Sequence, residues 1–83
     1  MIMVTPEQLK SWIAAGLNDE TLLTVEGDGH HFEAMIVSED FTEKSRIQRH
    51  QHIYAILGDK MKAEVHALSM KTLTPEEYSA TQS

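Results

Sequence analysis

The chain has 83 residues, no cysteine and a formal net charge of −6. A chain of this length buries roughly 60% of its unfolded surface. That predicts one domain with a thin core and favours a binding module over a stand-alone enzyme. The absence of cysteine excludes disulfide bonds and a self-contained cysteine-ligated metal site. The N-terminal residues do not resemble a signal peptide, and no stretch is apolar enough to span a membrane. We therefore expect a cytoplasmic protein without a membrane partner.

The charge is distributed unevenly along the chain. Residues 44–62 carry five basic residues and one acidic residue, a net charge of +4, whereas the rest of the chain carries −10. An acidic protein is a poor general binder of nucleic acid, because neutralising phosphates needs many cations. The basic segment could contact DNA or an acidic protein, or simply be solvated. The side chains that would contact phosphates are Arg46, Arg49, Lys60 and Lys62.

The N-terminal segment has the pattern of a helix start. Thr5 can cap the helix, Pro6 suits its first position, and Gln8 stands where a capping-box partner is expected. Apolar residues at helical spacing follow, so the sequence predicts a helix over 6–16 whose stripe around Trp12 packs in the core.

Two strands and a turn are predicted next. Residues 21–26 are rich in Thr, Leu and Val, and residues 31–38 alternate apolar with polar side chains. The Gly-rich residues 26–30 lie between them. Two strands joined by such a turn form an antiparallel hairpin.

A second helix is predicted from the N-cap Ser45 to Leu57. Spacings of three, four, six and seven place Ile47, Ile53, Tyr54 and Leu57 on one predicted face. A short helical turn over 60–62 is expected to follow the break after Leu57.

The third predicted strand, over 64–72, contains the main chemical candidate. Alternation places His66 at the start of this strand, on the same side as Leu68 and Met70. Its imidazole could serve as a metal ligand at the rim of the core. The alternative is a histidine at the strand edge that is hydrogen-bonded to a backbone carbonyl.

Thr74, Pro75 and Glu77 predict a last short helix, with a tail that frays from about residue 80. The expected order is therefore α-β-β-α-(α)-β-α in one domain over 1–83. This order predicts an α+β two-layer sandwich, a three-stranded mixed sheet covered by helices. The second and third strands, joined through a helix, should be parallel neighbours.

Several short motifs, in this order and spacing, resemble those of the BolA family, and most closely its IbaG branch. They are Val25-Glu26-Gly27-Asp28-Gly29 with His31-Phe32, Phe41, the run from Ser45 to Tyr54, His66-Ala67-Leu68-Ser69-Met70-Lys71-Thr72, and Thr74-Pro75-Glu76-Glu77-Tyr78. The chain departs from the family in having Glu43 where a glycine is common and no cysteine in the hairpin turn.

The resemblance implies a fold like that of class II KH domains and a monothiol glutaredoxin as partner. It also implies a [2Fe–2S] cluster shared with the glutaredoxin cysteine and a glutathione thiol. The family's histidine ligand matches His66. A second ligand often comes from the hairpin turn, where this chain offers Asp28 and His30, and His30 is the better candidate.

The remaining histidines have more ordinary interpretations. His30 and His31 are adjacent, so they should point in opposite directions and not chelate one ion together. His50 lies on the predicted apolar helix face and is expected to be structural. His52 should be on the opposite face and solvated.

Two functions remain open from the sequence. The first is a non-enzymatic adaptor that binds a monothiol glutaredoxin in iron–sulfur cluster assembly, trafficking or iron homeostasis. The second is a DNA-binding transcriptional regulator, of the kind involved in stress responses, that uses residues 44–62. We expect a monomer when the chain is alone.

Overall fold

A computed structural model describes residues 4–28, 30–61 and 67–82 of the chain. Helices and strands follow one another in the predicted order. They are α1 (Pro6–Ala15), β1 (Leu22–Gly27), β2 (Phe32–Val37), α2 (Arg46–Leu57), β3 (Leu68–Leu73) and α3 (Pro75–Gln82), with 3₁₀ turns at Glu39–Phe41 and Gly58–Met61.

The described α-helices all begin with reciprocal hydrogen bonds between a threonine or serine and a residue three positions later. The hydroxyl accepts from the backbone N–H of the later residue, whose side chain accepts from the backbone N–H of the first. This arrangement satisfies amides that have no partner inside the helix. The pairs are Thr5–Gln8, Ser45–Gln48 and Thr74–Glu77.

The sheet has the strand order β1-β2-β3. β1 and β2 pair antiparallel as a hairpin, and β3 pairs parallel to β2, as the sequence predicted. The parallel register places Phe32 beside Leu68, so both strands begin at the same end of the sheet.

The core lies between one face of this sheet and the helices α1 and α2. Both layers contribute fully buried side chains, which confirms the α+β architecture. The core residues are Leu9, Ile13, Leu17, Leu23, Phe32, Ala34, Ile36, Phe41, Ile53, Leu57 and Leu68. The likeness to class II KH domains stays a prediction.

The predicted apolar face of α2 is wrong for two of its four residues. Ile53 and Leu57 are buried, but Ile47 is 70% exposed and Tyr54 is 37% exposed. An α-helix turns by about 100° per residue, so Ile47, six residues before Ile53, and Tyr54, one residue after it, each point more than a quarter-turn away from Ile53. Ile47 and Tyr54 therefore share a different, outward face of α2.

The start of β3 differs from the sequence prediction. β3 begins at Leu68 and Ala67 precedes it, whereas the strand was predicted from residue 64; residues 64–66 lie outside the described residues. α3 extends to Gln82, and the fraying expected from about residue 80 stays a prediction. None of the described helices is long and apolar enough to cross a membrane.

Candidate functional site

The side chain of Asp28 holds His30 and His31 in the turn between β1 and β2, which we call the hairpin turn. Its Oδ1 accepts hydrogen bonds from the backbone N–H of His30 at 2.8 Å and of His31 at 2.9 Å. The backbone N–H of Asp28 donates to the carbonyl of His31 at 3.2 Å. The bond from His31, followed by that from His30, lowers the pKa of the Asp28 carboxyl below its ordinary value of 3.8. This turn presents both histidine side chains to solvent.

Gly27, the last residue of β1, is required by a close backbone approach. A Cβ at this position would collide with the carbonyl oxygen of His31 and lie 2.7 Å from Cδ1 of Phe32. Real Cβ atoms essentially never lie that close to another heavy atom, so a larger residue would displace the hairpin turn.

The hairpin turn lies at the end of the sheet where β3 begins. His30 precedes Phe32 by two residues, and Phe32 is the register partner of Leu68. Ala67, directly before β3, is half-buried. His66 precedes Leu68 by two residues in sequence but lies outside the described residues, so its role as a ligand stays a prediction.

His30 offers chemistry suited to an iron ligand. Within the described residues, its ring and that of His31 make no hydrogen bond, and a neutral imidazole can replace cysteine on one iron of a [2Fe–2S] cluster. The described part of the chain contains no group of three or more His, Asp or Glu residues placed to hold a metal ion. A cluster at His30 would therefore need further ligands.

Arg49, a candidate for phosphate contact, is bonded to three parts of the protein. Its Nε donates to the carbonyl of Lys44 at 2.9 Å, and its Nη1 donates to the carbonyl of Thr72 at 3.1 Å. Nη1 and Nη2 also donate to the carboxylate of Glu77, at 2.7 and 3.3 Å. We call this set of contacts the Arg49 junction. It ties the start of α2 to the end of β3 and the first turn of α3.

Burial and charge reinforce the Arg49 junction. The Arg49 side chain is only 12% exposed, and its guanidinium lies 5.9 Å from the ring centroid of Phe41. Hydrogen bonding from Arg49, followed by that from the backbone N–H of Thr74, lowers the pKa of Glu77 from 4.5 to about 2. Four of the five guanidinium N–H groups are thus used inside the protein.

His52 also takes part in the packing around Phe41. Its ring meets that of Phe41 edge to face, with centroids 6.1 Å apart, and its Nδ1 lies 2.9 Å from Nζ of Lys44. Because the lysine can only donate, Nδ1 is the acceptor in this contact. The prediction that His52 is solvated is wrong, because the loop before α2 covers one side of its ring.

The other basic candidates are separated. Arg46 is the first residue of α2 and Lys60 lies in the 3₁₀ turn that follows it, and both are exposed. The twelve residues of α2 span roughly 18 Å. Lys62 lies outside the described residues. Arg46 lines one surface pocket with Lys44 and Arg49, whereas Lys60, at the other end of α2, lies outside that patch.

Glu43, the departure from the family pattern, has φ of 65°. This left-handed conformation costs little at glycine and more at residues with a side chain. The turn that leads to Lys44 and α2 therefore places a glutamate in a conformation that favours glycine.

Sequence reasoning missed the Arg49 junction. The Thr74–Glu77 capping box was visible, but nothing in the sequence pairs Glu77 with a residue 28 positions earlier. A basic residue one turn before buried Ile53, on the same side of α2, was the available signal that Arg49 points inward.

Sequence and structure comparisons identify the family. The sequence model of the BolA-like protein family matches residues 10–77. The chain therefore belongs to the BolA family.

Two solved structures have the same fold. A BolA protein homologue from Coxiella burnetii aligns with a TM-score of 0.80 and 45% identity, covering 93% of this chain and 99% of that one. The BolA domain of SufE1 from Arabidopsis thaliana aligns with a TM-score of 0.74 and 32% identity, covering 87% of this chain and 93% of that one.

Curated relatives carry different functional names. The DNA-binding transcriptional regulator BolA of Haemophilus influenzae is 43% identical over 54 residues, which are 65% of this chain and 52% of that protein. The acid stress protein IbaG of Escherichia coli is 38% identical over 55 residues, 65% of this chain and 66% of that protein. The match thus spans about half the length of the first relative. Neither name describes an enzyme.

Proposed function

We propose that this protein is a non-enzymatic adaptor that binds a monothiol glutaredoxin and contributes histidine ligands to a shared [2Fe–2S] cluster. The observation that carries the proposal is the parallel register of Phe32 with Leu68. It places the turn that bears His30 at the end of the sheet where β3 begins, and His66 precedes that strand by two residues. Such a cluster would serve iron–sulfur assembly, trafficking or iron homeostasis.

The proposed donor set explains why a partner is needed. Two imidazoles leave two of the four terminal positions of a [2Fe–2S] cluster unfilled, and the chain has no cysteine to fill them. In the family, the glutaredoxin cysteine and a glutathione thiol supply the remaining ligands. His66 and His30 would bind one iron, and the two thiolates the other.

The exposed face of α2 supports a protein partner. Ile47 and Tyr54 lie on it together with Gln48, Gln51 and Ala55, and all five are exposed and uncharged. Interfaces are enriched in aromatic residues and poor in charge at their centres. We place the protein in the cytoplasm, as a monomer until the glutaredoxin binds.

Reconstitution with a monothiol glutaredoxin, iron, sulfide and glutathione tests this function. Absorption and circular dichroism of the heterodimer peak are compared for the wild type, His66→Ala and His30→Ala. His31→Ala is the matched control, because His31 is exposed in the same turn but is not a proposed ligand. We expect a cluster spectrum distinct from that of the glutaredoxin homodimer, altered by His66→Ala and unchanged by His31→Ala. A heterodimer spectrum that is unchanged in His66→Ala would refute the ligand role.

A second candidate function is DNA binding by the segment 44–62, as in the relative named a DNA-binding transcriptional regulator. The exposed side chains of Arg46 and Lys60 would contact phosphates, with Lys62 beside them in sequence and Arg49 reaching DNA through its remaining N–H. Affinity for duplex DNA should then fall steeply with salt. Arg46→Glu and Lys60→Glu should weaken binding, whereas Lys10→Glu, on α1, should have less effect. No binding at low salt would exclude this function.

A further inference from the structure

The side chain of Asp28 fixes the backbone of both histidines in the hairpin turn. Asp28 accepts from the backbone N–H of His30 and of His31 through one oxygen, at 2.8 and 2.9 Å. An aspartate that bonds the backbone two residues ahead is a common turn device. Here the two amides that it holds belong to the exposed histidines, one of which is the proposed second ligand.

The sequence around Asp28 makes this restraint important. Glycines stand on both sides of it, at positions 27 and 29, and glycine loses more conformational freedom on folding than any other residue. Without the Asp28 carboxylate, the amides of His30 and His31 would have only water as partner. The direction of the His30 Cα–Cβ bond would then vary, and each ligation event would have to order the turn.

We propose that Asp28 is a positioning residue for His30, and that it holds the hairpin turn so that the His30 imidazole is presented to iron from the same end of the sheet as the start of β3. The inference rests on the proposed function. Residues that orient a ligand typically change metal affinity by about 10- to 100-fold when they are replaced.

The experiment uses four variants and one control variant in the reconstituted heterodimer. Asp28→Ala removes the acceptor, and Asp28→Asn keeps an amide oxygen in its place. His30→Ala removes the proposed ligand. The double variant Asp28→Ala/His30→Ala tests whether Asp28 acts through His30. Asp19→Ala, an exposed aspartate in the α1–β1 connection, is the matched control.

Two readouts separate positioning from a general loss of structure. The first is the rate of cluster loss to a chelator, together with the ¹⁴N hyperfine couplings of the reduced cluster. The second is the exchange of the His30 and His31 amide hydrogens in the cluster-free protein. We expect Asp28→Ala to speed cluster loss about tenfold, to change the ¹⁴N couplings and to raise both amide exchange rates. Asp28→Asn should bring the rate of cluster loss, the ¹⁴N couplings and the amide exchange rates most of the way back to their wild-type values. The double variant should lose its cluster no faster than His30→Ala alone.

Other results would refute the positioning role of Asp28, the ligand role of His30 or the adaptor function. If His30→Ala changes the cluster but Asp28→Ala does not, the positioning role is refuted and the adaptor function stands. If Asp28→Ala speeds cluster loss as much in the His30→Ala protein as in the wild type, Asp28 does not act through His30 and the positioning role is refuted. If His30→Ala leaves the ¹⁴N couplings unchanged, His30 is no ligand and the inference fails while His66 can still serve. If the wild type forms no heterodimer cluster, the proposed function and this inference fall together.

Discussion

The hairpin turn and the Arg49 junction both connect separate elements, but they use their polar groups in opposite ways. In the Arg49 junction, a charged side chain that is 12% exposed gives nearly all its donors to the protein itself. In the hairpin turn, the backbone amides of His30 and His31 donate to Asp28, while the two imidazole rings face solvent. Charge alone is therefore a poor guide to binding residues in this protein, because four of the five donors of Arg49 are already used within the protein.

The largest expected effect in this comparison is that of Arg49→Ala. It removes the two bonds to the carbonyls of Lys44 and Thr72, and hydrogen bonds from charged donors typically contribute 1.5–3 kcal/mol each. We expect the free energy of unfolding to fall by about 3 kcal/mol, measured by urea denaturation at pH 7. Arg46→Ala, at the exposed start of α2, should change it by less than about 0.5 kcal/mol. Equal effects of the two substitutions would contradict the structural role of the Arg49 junction.

A smaller loss of stability is expected from Gly27→Ala in the hairpin turn. The added Cβ would collide with the His31 carbonyl, and overpacking of this kind costs typically about 2 kcal/mol. Glu26→Ala, at the exposed neighbouring position, provides the control in the same denaturation experiment. Because the displaced turn carries His30, Gly27→Ala should also alter the heterodimer spectrum, whereas Arg49→Ala should leave it unchanged at temperatures where the protein is folded. A normal cluster in Gly27→Ala would argue against the hairpin turn as part of the site.

The dependence of stability on pH below neutrality reports on the Arg49 junction. The pKa of Glu77 is lowered from 4.5 to about 2 by Arg49 and Thr74. Its contribution to stability is therefore complete above pH 4.5 and lost as the pH falls from there towards 2. We expect the thermal unfolding midpoint of Glu77→Gln to depend less on pH over this range than that of the wild type, with Glu76→Gln as control. An unchanged pH dependence in Glu77→Gln would show that the ion pair between Arg49 and Glu77 is not formed in solution.

The smallest expected effect is a gain in stability from Glu43→Gly, next to the Arg49 junction. Relief of the left-handed φ of 65° is partly offset by the greater freedom of glycine in the unfolded chain, which leaves about 0.5 kcal/mol. Thr42→Gly, where φ is −58°, should instead destabilise the protein. Destabilisation by Glu43→Gly would mean that the glutamate side chain itself supports this turn.

Local signals in the sequence predicted most of the fold. The capping residues Thr5, Ser45 and Thr74 are all found at helix starts, because a capping box is formed within four residues and needs no tertiary context. The hairpin and the parallel crossover likewise follow from the order of the elements. The errors at Ile47 and Tyr54 arose because four apolar residues spread over eleven positions fit more than one face of a helix, and only packing decides which face is buried.

The candidate site could be predicted only in part. The hairpin turn with Asp28 and His30 was recognisable from its glycines, and the structure places it beside the start of β3. The role of Arg49 could not be predicted, since its partners Thr72 and Glu77 are 23 and 28 residues away in sequence. His66 lies outside the described residues, so its place in the site stays a prediction from family resemblance.

The parallel register of β2 and β3 has a consequence for how the chain tolerates insertions and deletions. His30 precedes Phe32 by two residues and His66 precedes Leu68 by two, and these two strand residues are register partners. Phe32 is held in place by this register, so adding or removing one residue between His30 and Phe32 would move the His30 imidazole relative to the start of β3. Length variation compatible with a shared cluster should therefore be absent between each histidine and the strand that follows it.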